Sequence, residues 1–193
     1  FTNEEVKKRV FEEAVAEATE RGTKHIHTDF EYIDGADREN YVIFLKELKA
    51  FAPGFTISAS LAPKTSAEQS GKWYAGHDYK AIGEVVDFVV IMTYDWGYSG
   101  GPPMAISPIG PVRQVLEYAL TEIEPKKILM GQNFYGYDWT LPYKQGNPFA
   151  RALSPQQAIQ LAKDRNAAIE YDTTAQAPFF RYWKDGIEHE VWF

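Results

Sequence analysis

The most restrictive feature of this chain is a rhythm. Apolar, strand-like runs at His25–Glu31, Phe55–Leu61, Val86–Tyr94 and Ile128–Tyr135 recur at roughly 30- to 40-residue spacing. Helix-period stretches lie between them. Val6, Val10, Ala14 and Ala18 recur every four residues up to Gly22, after Thr2 and Glu5, which read as a capping box. Tyr41, Phe44, Leu45 and Leu48 share one face after Asp37, a short helix falls around Asp78–Gly83, and Pro111–Ile123 carries Val112, Val115, Leu116, Ala119, Leu120 and Ile123 on one face. Alternating strand and helix predicts a parallel sheet, and runs this apolar belong to strands covered on both sides. With Glu190–Phe193 as a fifth strand, the pattern predicts an α/β fold: the later part of a (β/α)8 barrel, whose full form takes roughly 250 residues.

The rhythm breaks after residue 138. Ser154-Pro155-Gln156-Gln157 reads as a capping box opening a helix to about Arg165. Ala167–Tyr171 and Phe179–Trp183 read as a β-ribbon, with Lys184-Asp185-Gly186 as a turn. The predicted organisation is therefore barrel over 1–138, an inserted α+β piece over 139–188, and a last barrel strand over 189–193. Three βα units before Phe1 and a closing helix after Phe193 are expected of the natural protein.

Twenty basic against 27 acidic residues give a net charge of −7, which argues against nucleic acid and against a basic membrane-binding surface. The chain has no cysteine, which removes thiolate nucleophiles and cysteine-ligated zinc. Aromatic residues are abundant, at 15%, and crowd into a few loops.

Period-two alternation puts His25, His27, Asp29 and Glu31 on one face of the first strand, with Glu31 at the C-terminal mouth where barrel enzymes work. Four ionisable groups facing a barrel interior are costly unless paired or functional. One reading is metal chelation by His25 and His27, with His77 and His189 the remaining imidazoles. The other is a carboxylate pair, Asp29 and Glu31. Two residues of one strand cannot easily flank opposite faces of a sugar, so the pair suits an acid with an adjacent orienting group.

The segment His27-Thr28-Asp29-Phe30-Glu31 resembles the end of the D-G-x-D-x-D-x-E strand of family 18 glycoside hydrolases, the chitinase-like group. Met92-Thr93-Tyr94-Asp95 is similar to that family's M-x-Y-D strand end, Gly131–Gly136 to its G-x-P-x-Y-G strand, and Val191-Trp192-Phe193 to its last-strand tryptophan. Asp29-Phe30-Glu31-Tyr32, Ala36–Tyr41, Trp96–Pro103 and His189–Phe193 resemble the bacterial spore peptidoglycan branch, whose members are often fused to LysM modules.

The resemblance implies a substrate-assisted, retaining hydrolase without a cofactor or metal. Glu31 would protonate the glycosidic oxygen while the substrate's 2-acetamido oxygen attacks the anomeric carbon. Asp29 would hold the amide N–H, and Tyr94 would donate to the acetamide oxygen. Trp192 and Tyr135 would offer apolar faces to the sugar and Asp95 polar contacts. Met92, Asn133 and Trp96 would complete the sugar site. Lys24 and His25 stand where the family has Asp and Gly, His27 where it has its middle Asp, and Asn133 where it has Pro. A neutral His27 is expected to donate to Asp29.

The implied partner is a peptidoglycan-like polysaccharide, in the spore or cell wall and outside the cytoplasm, with a LysM module elsewhere in the parent chain. A chitinase or endo-N-acetylglucosaminidase, and a non-hydrolytic sugar-binding protein on the same fold, are the alternatives. Trp139, Tyr143 and Trp183 are expected to pack the inserted piece, and His77 to sit in a surface loop.

Overall fold

The computed structural model describes residues 1–193, which divide into two compact units. The first comprises residues 1–92 and 114–131, the second 93–113 and 132–193.

The first unit is α/β. Its strands β1 (His25–Thr28), β2 (Thr56–Leu61), β3 (Phe88–Ile91) and β4 (Ile128–Met130) form a parallel sheet in that order. The register pairs Ile26 with Ile57, Ala59 with Val89 and Val89 with Ile128. β2 is buried from Ile57 through Leu61, as a central parallel strand covered on both faces should be. Helix α1 (Glu4–Glu20) starts one residue later than the Thr2 capping box predicts: Asn3 caps it, accepting from Val6 N–H at 3.0 Å. Helix α2 (Arg38–Phe51) buries Tyr41, Phe44, Leu45 and Leu48 on the predicted face, and each such side chain stabilises by about 1.5–3 kcal/mol. Asp37 precedes α2 but makes no side-chain cap bond; Asp34 instead accepts from Ala36 N–H and starts the 3-10 turn Gly35–Asp37. Asp78 caps α3 (Tyr79–Val85), accepting from Ala81 N–H at 3.0 Å.

The strand-like runs are longer in sequence than the strands. β1 stops at Thr28, so Asp29 and Glu31 lie beyond its end, and Tyr32 turns to a positive φ of 56°. β3 stops at Ile91 before Asp95, whose φ is 63°.

Helix α4 (Ile109–Glu122) buries Val112, Val115 and Ala119 at helical spacing. The second unit is an antiparallel sheet of β5 (Gly136–Thr140), β6 (Arg151–Leu153), β7 (Glu170–Asp172), β8 (Ala177–Lys184) and β9 (Ile187–Trp192), in the order β6-β5-β9-β8-β7. Helix α5 (Pro155–Asp164) opens with the predicted capping box: Ser154 Oγ accepts from Gln157 N–H, and Gln157 Oε1 accepts from Ser154 N–H at 2.8 Å. It packs Ala158 and Ala162 against Leu153, Phe180, Tyr182 and Val191.

The fifth barrel strand is a correction. Residues 187–192 pair antiparallel with both β5 and β8. The cause is local. Lys184 pairs with Ile187, which leaves Asp185-Gly186 as a two-residue loop with φ of 52° and 77°. Two consecutive positive φ angles at Asp-Gly make a primed hairpin turn, and such a turn can only join antiparallel strands. The irregular part of the chain accordingly runs from Gly136 to Trp192 and is wider than the predicted 139–188 insertion.

Candidate active site

The sequence-predicted residues fall into two groups, one in each unit. In the first, β1 delivers Asp29 and Glu31 to the loop past its C-terminal end, both exposed. Glu31 Oε2 accepts from the indole N–H of Trp73 at 3.0 Å. Between the two carboxylates, the Phe30 carbonyl accepts from His77 Nε2 at 2.9 Å, while Nδ1 of the same ring accepts from Ala62 N–H at 2.8 Å. His77 is 1% exposed, not a surface histidine. Its two backbone partners fix the neutral tautomer with the proton on Nε2, and burial holds the ring below its usual pKa. Gly76 makes this approach possible, since a Cβ there would lie 2.3 Å from Ile33 Cβ.

His25 and His27 share a face of β1, but that face is exposed rather than enclosed. β1 has only β2 beside it in the sheet. His27 Nδ1 meets Ser58 Oγ at 2.7 Å and Nε2 meets Ser60 Oγ at 2.9 Å, while His25 Nε2 also meets Ser58 Oγ at 2.7 Å. Both nitrogens of His27 are therefore committed to serines, in place of the expected bond to Asp29. Partial desolvation of the ring between its serines, with His25 adding to it against the pull of Asp29, holds His27 below its usual pKa although the residue is exposed. No three His, Asp or Glu side chains converge as a metal-holding group, and the remaining imidazoles, His77 and His189, have other partners. Met92 is buried, its N–H bonded to Leu61 O at 2.9 Å.

In the second unit, Tyr94, Tyr135, Tyr137 and Trp139 form a ladder of edge-on rings with centroids 5.5–6.4 Å apart. Tyr135 donates to Asp95 Oδ1 at 2.6 Å. Burial and that carboxylate push its phenol well above its usual pKa, so it stays a donor. Asn133 Nδ2 donates to Tyr135 O at 2.9 Å, and Trp96 N–H to Ile106 O at 3.0 Å. Trp192 stacks on Phe179 at 4.7 Å and 18°. Its indole N–H donates to Glu190 Oε1 at 2.7 Å, and Glu190 Oε2 is gripped by Arg181 at 2.7–2.8 Å. Trp192 is thus locked edge-on and on one face. Trp139 and Tyr143 donate to the Gly101 and Gly100 carbonyls at 2.9 and 3.0 Å. Trp183, expected to pack, is 66% exposed, because it follows Arg181 on the same face of β8 beside the hairpin end.

The two exposed carboxylates past the end of β1, and in the other unit the half-buried Tyr135–Asp95 bond and the anchored Trp192, are side chains of the kinds that glycoside chemistry uses. The model of the family "Glycosyl hydrolases family 18" matches residues 1–193. The chain belongs to that family. Glycosyl hydrolases of family 18 fold as (β/α)8 barrels, and the parallel unit described above is of that type. The chain is 60% identical to the cortical fragment-lytic enzyme of Bacillus subtilis (strain 168) over 100% of this chain and 46% of the relative. The crystal structure of the Bacillus cereus spore cortex-lytic enzyme SleL superposes with a TM-score of 0.95 at 52% identity, over 100% of this chain and 45% of that one. A chitinase from Chromobacterium violaceum superposes at 0.86 with 25% identity, over 98% and 59%. The chain thus spans about half the length of the first two family 18 relatives.

Proposed function

We propose that this chain is part of a glycoside hydrolase that cleaves N-acetylglucosaminyl bonds of bacterial peptidoglycan, in spore cortex or cell wall. The observation that carries this reading is the 60% identity to a cortical fragment-lytic enzyme across the whole chain, which includes the Asp29 and Glu31 loop. Glu31, oriented by Trp73, gives its proton to the glycosidic oxygen as that bond to the anomeric carbon breaks. The substrate's acetamido oxygen closes on the anomeric carbon, and Asp29 and Tyr94 hold the acetamide. Water then opens the oxazolinium ion, returning a proton to Glu31, with net retention of configuration. Trp192 and Tyr135 line the sugar, with Asp95, Met92, Asn133 and Trp96 beside it. Action at the wall places the parent protein outside the cytoplasm, held to its polymer by a LysM module. The 0.86 superposition on a chitinase favours chitin-type oligomers as the second substrate class.

The test is Glu31→Gln in the parent protein, assayed on purified cortex fragments and on chitin oligomers with products read by mass. Turnover is expected to fall about 10²- to 10⁴-fold, with sugar binding retained. Near-normal turnover in this variant overturns the assignment of Glu31.

A further inference from the structure

The sheet of the second unit has two chemically different faces. Trp139, Phe179, Glu190 and Trp192 point to one. The alternation of side chains sends Asp138, Tyr182, Lys184 and His189 to the other. Helix α5 covers part of this second face, and beside its C-terminal end opens a cavity of about 280 Å³.

The cavity is cationic in a chain of net charge −7. Arg151, Arg165 and Lys184 line it against a single carboxylate, Asp138. That carboxylate is buried and already taken. It accepts from the Tyr182 hydroxyl at 2.8 Å, from His189 Nδ1 at 2.9 Å, and from Arg151 Nη2 at a long 3.4 Å. Three donors spend its charge on holding the cavity's own walls. The Tyr182 and His189 rings stack at 4.7 Å, and the Arg165 guanidinium lies 5.6 Å over the Tyr182 ring. Neither Arg165 nor Lys184 has an acidic partner within ion-pair distance. Unpaired guanidinium and ammonium groups around a recess, on a floor of stacked rings, are the donor set that binds a carboxylate.

We propose that this recess is a carboxylate-binding site, on the sheet face opposite Trp192. Its ligand class rests on the peptidoglycan reading: that polymer carries carboxylates on lactyl ethers and on peptide stems, whereas chitin carries none. The site would let the protein hold the charged parts of its polymer while an uncharged N-acetylglucosaminyl unit is cut elsewhere.

Calorimetric titration of the parent protein with N-acetylmuramic acid and with N-acetyl-D-alanine separates the lactyl from the peptide source. N-acetylglucosamine and inorganic phosphate are the neutral and non-carboxylate controls. One of the two carboxylates is expected to bind, more weakly as sodium chloride is raised. Arg165→Gln and Lys184→Gln, both surface changes, should each lower that affinity about tenfold and leave turnover of chitin oligomers unchanged. Undiminished carboxylate binding in both variants, no binding by the unchanged protein, or phosphate binding as tight as either carboxylate overturns the site. If the carboxylate binds as expected but no peptidoglycan fragment is cleaved, the site stands and the proposed function falls.

Discussion

The two groups of candidate site residues are held in place by different forces. Around Glu31 the fixed contacts lead to the backbone. His77 bridges the Ala62 N–H and the Phe30 carbonyl. Tyr79 donates to Ala62 O at 2.6 Å and accepts from Lys64 N–H at 3.0 Å. The buried Lys64 ammonium donates to the carbonyls of Ala67 and His77. Around Trp192 the contacts are ring on ring, with the Glu190–Arg181 pair holding the indole edge. The contrast suits the roles proposed for the two groups. A proton donor has to stay reachable, and directional bonds behind its loop cover little of it. A platform or wall for a sugar ring has to be flat and still, and packed aromatic area achieves that.

The largest effect should come from the wall. Trp192→Ala removes a buried indole, its stack on Phe179 and the donor to Glu190, and should cost about 3–5 kcal/mol in urea unfolding. Arg181 still satisfies Glu190, so the loss is one of packing. If the change costs under about 1 kcal/mol, packing is not what holds this wall.

A smaller loss with a different signature is expected at His77. His77→Ala leaves the buried Ala62 N–H without a partner, at about 1–3 kcal/mol, and leaves the only half-buried Phe30 carbonyl to water. Because Phe30 lies between Asp29 and Glu31, kcat should fall while the KM for N-acetylglucosaminyl oligomers stays near that of the unchanged protein. His77→Gln, which keeps a donor near the Nε2 position, should recover part of the loss. A His77→Ala protein with unchanged stability and kcat would show that the loop is held by something else.

Which parts were readable from sequence follows the same division. Helical faces, the Ser154 capping box and the Asp185-Gly186 turn are local and were legible, because spacing and φ preference decide them. The carboxylate pair could be read from strand alternation as one of two alternatives, whereas the roles proposed for it, for Tyr94 and for Trp192 rest on motif resemblance. The direction of β9 was available in principle, since Asp-Gly flanked by pairing residues dictates a hairpin, but the apolar Val191-Trp192-Phe193 outweighed it. His77 was not legible. It lies in a stretch of Gly, Lys, Trp and Tyr that reads as loop, and its partners are 15 and 47 residues away in the chain. Trp73 shares that stretch and reaches Glu31 across 42 residues. Burial imposed from such a distance leaves no periodic trace in the local sequence.

The smallest expected effect is on pH dependence, and it distinguishes the two regions again. His77 and His27 both titrate below their usual value in the folded chain, His77 through burial and the exposed His27 through partial desolvation between its serines. A lowered native pKa means that the unfolded chain takes up protons first as pH falls. The stability these rings contribute is therefore fully present above about pH 6.5, the unperturbed histidine value, and is lost as pH falls toward the lowered native values. Carboxylates titrate in a lower window. Asp78 and Asp87, held below their usual values by backbone N–H groups and by Arg38 and Lys49 despite burial, add losses only near or below the ordinary aspartate range. Urea midpoints of the unchanged protein should thus drop between pH 7.5 and pH 5.5. Neither Trp192 nor the Phe179 ring stacked on it carries a titratable group, so Trp192→Ala should keep the slope of the unchanged protein. His77→Gln should flatten it, because the imidazole that must stay neutral is gone. If His77→Gln keeps the full slope, the buried imidazole is not the group that senses acid, and His27 between its two serines is the next to change.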